Sequence, residues 1–161
     1  MASAGHAGVG WGRAGTLAAV EGVRVRRLGP GDEREVEAYA ESFDDPIRPD
    51  VVARFLGDDR HHLLVVDVDG RPAGFVSATE VFHPDKPPEL FLNELSVDEP
   101  FRRRGAATAL LDELSTLGRE LGCATIWVLT DEDNAAAMAT YRRAGGVWNG
   151  ARSVMFEFDL T

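Results

Sequence analysis

Between Glu89 and Gly145 the chain passes from a strand-length apolar run through a basic glycine turn into helical periodicity, and this constrains the fold most. Glu89 to Val97 reads as a strand. Arg102-Arg103-Arg104-Gly105-Ala106-Ala107 is a tight turn with one glycine. From Arg104 the period changes. Ala107, Leu110, Leu111, Leu114, Leu117 and Leu121 recur at helical spacing and form one apolar face, ended by Gly122. Ala124 to Leu129 is again an apolar strand, and a second helix is expected from Asn134 to Ala144, stopping at Gly145-Gly146. A strand-helix-strand unit of this kind predicts a parallel pair joined by a right-handed crossover. The turn lies at a helix start, where backbone N–H groups have no partner, so it is a place to hold a phosphate.

The rest of the chain predicts an antiparallel first half. Val23 to Leu28 alternates and ends at Gly29-Pro30-Gly31, which marks a first strand. Asp32 is placed to cap a helix through Val36, Ala40 and Phe43 that Asp44-Asp45-Pro46 stops, and a second short helix is expected over Asp50 to Leu56. His62 to Val68 and Ala73 to Phe82 are strands joined by an Asp69-Gly70 hairpin turn. A proline-rich loop from His83 to Pro88 leads into the strand at Glu89, and Ser153 to Leu160 alternates as a final strand. Met1 to Gly22, rich in Gly and Ala, is expected to be a mobile extension in which only Trp11 is a docking candidate. The expectation is one domain over 23–161, of the α/β class.

Net charge sharpens the reading of the turn. The 161 residues carry a net charge of −10, so three adjacent arginines point to an anionic ligand at that spot. The acidic balance disfavours nucleic acid and anionic membrane as partners and favours cations. The single cysteine, Cys123, allows neither an internal disulfide nor a cysteine-based metal site, and His6, His61, His62 and His83 show no metal-ligand spacing; no metal is expected. No apolar run is long enough to span a membrane and no secretory leader is evident, so the expected location is cytoplasmic.

Arg102-x-x-Gly105-x-Ala107 resembles the acyl-CoA pyrophosphate loop of the GNAT superfamily of N-acetyltransferases, in the setting the family shows: the strand Phe91 to Val97 before it, and Asn134-Ala135-Ala136-Ala137 with Tyr141-Arg142-Arg143-Ala144-Gly145 after it. A Rossmann site would need Gly-x-Gly-x-x-Gly after the first strand; here the loop follows several strands and has one glycine. A capped helix with solvated arginines leaves the downstream Asn and Tyr unexplained. The run Phe101 to Leu110, with Leu95-Ser96-Val97, Leu121-Gly122, Arg27-Leu28-Gly29-Pro30, Val154-Met155 and Phe158-Asp159, is similar to the aminoglycoside 3-N-acetyltransferases. Two departures stand out. Asn134-Ala135-Ala136 replaces acidic residues and a proline, and Gly146 replaces a bulky apolar residue.

The resemblance implies a GNAT fold: a mixed, mostly antiparallel central sheet of about six or seven strands flanked by helices. It implies acetyl-CoA as acetyl donor, a small cationic amine as acceptor (the 3-amino group of an aminoglycoside antibiotic, hence resistance) and a homodimer. Leu95, Ser96 and Val97 are expected to bind the pantetheine through backbone groups. The N–H groups of Arg104, Gly105, Ala106 and Ala107, with Thr108, are expected to hold the pyrophosphate, with Arg102 and Arg103 adding charge and Asn134 and Tyr141 completing the cofactor site. Glu94 is the candidate base, or else a carboxylate that only binds the cationic acceptor, and Tyr141, seven residues after Asn134 on one helix face, is the candidate acid. Asp131, Glu132 and Asp133, with Asp44, Asp45, Glu80 and Glu94, are candidates for an anionic substrate wall. Acetylation of another small polyamine or of a protein amine is the rival within enzymes. A non-catalytic acyl-CoA-binding module is the rival outside them, disfavoured by the presence of both Glu94 and Tyr141.

Overall fold

The computed structural model describes residues 21–152 and 154–160. Five strands form one sheet in the order β1-β2-β3-β4-β5: β1 Val23–Leu28, β2 His61–Val68, β3 Arg71–Val81, β4 Glu89–Val97 and β5 Ile126–Trp127. The first four pair antiparallel and β5 runs parallel to β4. The helices are α1 Glu33–Val36, α2 Pro49–Leu56, α3 Ala106–Glu120 and α4 Ala135–Arg143, with 3-10 turns at Glu37–Ser42 and Glu99–Phe101. The class is α/β with a mostly antiparallel sheet flanked by helices, as expected from the sequence, with five strands among the described residues rather than six or seven.

Period-2 burial splits the sheet into two faces. Val66, Val76, Ala78, Leu90 and Leu92 pack against the Leu110, Leu114 and Leu117 stripe of α3. Leu63, Val65 and Phe75 pack on the other face against Val36, Tyr39 and Leu56. The Arg27 guanidinium, on β1, pairs with Glu113 (2.7 Å) and Glu120 (2.5 Å) of α3 and adds a polar tie at the rim.

Three expected elements differ. The stretch Val154–Leu160 forms no strand, and its apolar side chains stay exposed, Phe156 at 80% and Phe158 at 84%. Alternation gives a segment a face but no partner, and two-residue β5 offers it little edge to pair with. The strand expected at Ala124 to Leu129 contracts to Ile126–Trp127, which pair with Leu90 and Phe91 of β4. Asp32 occupies the N-cap position of α1, but its side chain makes no capping bond. Its carboxylate accepts from the Gly29 N–H at 2.9 Å, closing the turn before the helix, and the helix passes into 3-10 geometry at Glu37. Residues 1–20, including Trp11, and Ser153 and Thr161 lie outside the described residues.

Candidate active site

Two local irregularities place the site. The first is in β4. Its register against β3 slips between Ser77 and Ala78: Ser77 faces Glu94, Ala78 faces Leu92, and Asn93 is the extra residue of a bulge. The Asn93 side-chain amide donates to Thr79 Oγ1 at 2.9 Å, which fixes the bulge on the α2 side of the sheet. The second is the shortness of β5, which pairs only with Leu90 and Phe91. Beyond Phe91, β4 continues to Val97 with no described strand on its outer side. The backbone of Leu95, Ser96 and Val97 therefore forms an open strand edge, unpaired on its outer side among the described residues.

A glycine holds the far end of β4 in place. At Gly74 (φ +156°) a Cβ would lie 2.2 Å from the Ser96 carbonyl oxygen and 2.9 Å from Val97 Cα. Only a residue without a side chain lets β3 approach β4 so closely there.

The basic turn follows Val97 and Glu99–Phe101. Arg103 (φ +61°) and Gly105 (φ +87°) are both left-handed, and Gly105 is the N-cap of α3. Glycine has no capping side chain, and the first helical bond is donated by Ala109 to the Gly105 carbonyl (2.9 Å). The N–H groups of Gly105, Ala106, Ala107 and Thr108 thus precede the helical ladder and face outward at the positive end of a 15-residue helix. The arginines divide. Arg102 Nε donates to the Val97 carbonyl at 2.9 Å, and Arg104 pairs with Asp69 of the β2–β3 turn at 2.5 Å. Arg103 is exposed and makes no ion pair among the described residues. A cluster of open amides with one free guanidinium suits a diphosphate.

Glu94 sits on the α2 face, where it lines a cavity of about 400 Å³ with Asp44, Asp45 and Ser77. Burial, and then the charge of Asp44, push its carboxyl above the usual range. Tyr141, half-buried, packs against the core on the α3 face, and its burial raises the phenol so that it stays protonated at neutral pH. Its hydroxyl hydrogen-bonds no described group. Base and acid candidates therefore lie on opposite faces of the sheet. Asn134 is the N-cap of α4. Its Oδ1 accepts from the Ala137 N–H (3.0 Å), so its first use is to start the helix that carries Tyr141. That helix ends in a Schellman turn: Gly145 (φ +91°) donates to the Arg142 carbonyl and Gly146 to that of Tyr141, which leaves no room for a bulky residue at position 146.

The acidic set divides too. Asp44 and Asp45 line the same cavity as Glu94, and the charge of Asp44 acts on the Glu94 carboxyl. Glu80 lies on the α3 face, bonded to His62 Nε2 at 3.1 Å, and is not brought to Glu94. Asp131, Glu132 and Asp133 occupy the exposed loop between β5 and α4, where Glu132 pairs loosely with Arg152 (3.7 Å). Sequence reasoning missed Asn93, Ser77 and the apolar wall of the cavity, supplied by Phe43, Ile47, Val52 and Phe55. The Phe55 and Val52 spacing in α2 was the only available signal. Among the described residues no cluster of His, Cys, Asp and Glu could hold a metal ion, and no helix is long and apolar enough to cross a membrane.

An unpaired stretch of β4 leading into the open amides of α3 is an arrangement suited to a diphosphate-bearing ligand. Residues 31–146 match the acetyltransferase (GNAT) family, and the chain belongs to it. It is 28% identical over 89 residues to an uncharacterized N-acetyltransferase of Methanocaldococcus jannaschii, a match covering 54% of this chain and 39% of that protein; the chain thus spans about two fifths of that relative. The fold is similar to an aminoglycoside acetyltransferase from an uncultured soil metagenomic sample in complex with sisomicin (TM-score 0.79, 15% identity, 87% of this chain and 97% of that one). A second aminoglycoside acetyltransferase from such a sample is 26% identical, with a TM-score of 0.67 over 86% of this chain and 97% of that one.

Proposed function

We propose that this chain transfers an acetyl group from acetyl-CoA to the amine of a small cationic acceptor. The observation that carries the reading is the contiguity of β4 and α3. One segment presents Glu94, an unpaired strand edge and four open amides in sequence. Acetyl-CoA supplies an activated acyl thioester. The open amides of Gly105 to Thr108 hold its diphosphate, and the backbone of Leu95, Ser96 and Val97 aligns the pantetheine along the open strand edge. A backbone N–H at that edge faces the carbonyl oxygen as it gains charge.

Glu94, directly or through one water, takes the proton that the attacking amine gives up, helped by its raised carboxyl pKa. As the new C–N bond replaces the C–S bond, the Tyr141 hydroxyl gives its proton to the departing sulfur. The faces they occupy separate the two transfers. Protons leave the acceptor on the α2 side and reach the thiolate on the α3 side.

The acceptor named by the sequence resemblance is the 3-amino group of an aminoglycoside, and Asp44 and Asp45 in the same cavity as Glu94 support a cationic acceptor. A second reading, another small amine or a protein amine, is favoured by the apolar wall of the same cavity. In either case residues 23–161 act as one acetyltransferase domain, as a cytoplasmic homodimer. The test is calorimetry with coenzyme A, followed by thiol release and product mass with several aminoglycosides. Absence of a heat signal with coenzyme A refutes the site. Binding without acetylation of any amine makes the chain an acyl-CoA-binding module.

A further inference from the structure

The cavity beside Glu94 is walled unequally. Glu94, Asp44 and Asp45 contribute carboxylates to its wall, and Asp44 is near enough to Glu94 for its charge to act on that carboxyl. Apart from Ser77 and from Arg48, whose guanidinium pairs with Asp50 (3.7 Å), the rest of the wall is apolar. Phe43, Ile47, Val52 and Phe55 are half-buried against the core below them, and Phe43 is locked by stacking on Phe75 with ring centroids 3.9 Å apart. Val51 stands at the wall with 43% of its surface exposed. A ligand bearing hydroxyls all round would lose water hydrogen bonds against this wall and gain none in return. The neighbouring cavity of about 680 Å³, across Phe43 and Asp44, differs: Glu41, Arg71, Asp98, Glu99 and Arg102 bring charged groups to its wall.

We propose that the acceptor is a primary amine on an aliphatic or aromatic body. Its ammonium end sits among Glu94, Asp44 and Asp45, and its apolar body fills the slot between the loop at Phe43 to Ile47 and α2. A volume of about 400 Å³ lies within the roughly 300–1,000 Å³ usual for small-molecule sites and has room for the apolar body of such an amine. The inference rests on the acetyl-transfer reading above and selects among its acceptors. The reaction is unchanged: the amide C–N bond forms, the thioester C–S bond breaks, and the amine proton leaves toward Glu94.

The experiment uses the full chain, acetyl-CoA and a thiol-release assay with propylamine, butylamine, pentylamine, hexylamine, phenethylamine and kanamycin. If the slot takes the apolar body, kcat/KM climbs about fourfold per added methylene, or roughly 60-fold from propylamine to hexylamine, and kanamycin falls below hexylamine. Val51→Lys, a change at an exposed position, flattens the gradient while coenzyme A binds with unchanged Kd by calorimetry. A flat alkylamine series, or kanamycin turned over faster than hexylamine, overturns the inference and leaves acetyl transfer standing. Coenzyme A binding with no thiol released by any amine overturns both.

Discussion

Gly74→Ala probes the site through the strand that supports it. The added Cβ would lie 2.2 Å from the Ser96 carbonyl oxygen and 2.9 Å from Val97 Cα, and both obstacles are backbone. No rotamer relieves such a clash, so β3 and β4 must part by about 1 Å to reach ordinary contact. Antiparallel N–H···O bonds near 2.9 Å do not survive that shift intact. Gly74 pairs with Val97, and Phe75 with Ser96. Overpacking of this kind costs about 1–3 kcal/mol, and weakening one or two ladder bonds adds about 1 kcal/mol. The total is about 2–4 kcal/mol, which for a chain of this size lowers Tm by roughly 5–15 °C. The same shift moves Ser96 and Val97, the backbone proposed to align the pantetheine, so the KM for acetyl-CoA should rise beyond what lost folding explains. Thermal melting by circular dichroism reads the first effect, and thiol-release kinetics well below the new Tm read the second. A Tm within 1 °C of the parent refutes the packing argument. A large fall in Tm with unchanged KM separates the β3–β4 contact from donor binding.

Gly105→Val places a branched side chain at φ +87° among the open amides; acetyl-CoA KM should rise at least tenfold, and unchanged KM removes the loop from donor binding. Tyr141→Phe should lower kcat more than KM, since only the departing thiolate needs the hydroxyl; equal activity excludes it as the acid. The raised carboxyl of Glu94 puts the acid limb of kcat/KM above the ordinary carboxylate range, and Asp44→Asn, by removing the nearby negative charge, should move that limb to lower pH. Because the folded value lies above the unfolded one, the charged form of Glu94 destabilises the fold as pH rises through the folded value. Glu94→Gln should therefore raise Tm at pH 7.5 and leave it unchanged at pH 4. A lower Tm at pH 7.5 would show that the carboxylate has a stabilising partner.

Much of the site was readable along the chain because its pieces are contiguous. The strand at Glu89, the glycine turn and the α3 stripe fall within some thirty residues of sequence, each marked by its own local rule. The functions of individual side chains were less readable. Arg102 and Arg104 look equivalent to Arg103 in sequence, but the Val97 carbonyl and Asp69 occupy them. Glu80 and Glu94 look like members of one acidic set. Their faces differ because Glu80 shares the parity of Val76 and Ala78, whereas Glu94 sits opposite Ser77 after the bulge at Asn93. The alternation of Val154 to Leu160 read as a strand, and the fold offers it no adequate edge.

Period, turn chemistry and the glycine at 105 are properties of short segments, and they are enough to set the helix, its open amides and the class of ligand proposed for them. Which face each carboxylate occupies, where β5 leaves β4, and what walls the cavity beside Glu94 depend on strand register and on segments fifty residues apart meeting across a buried sheet. Those choices follow from burying apolar area on both faces at once, and no local pattern contains that global balance.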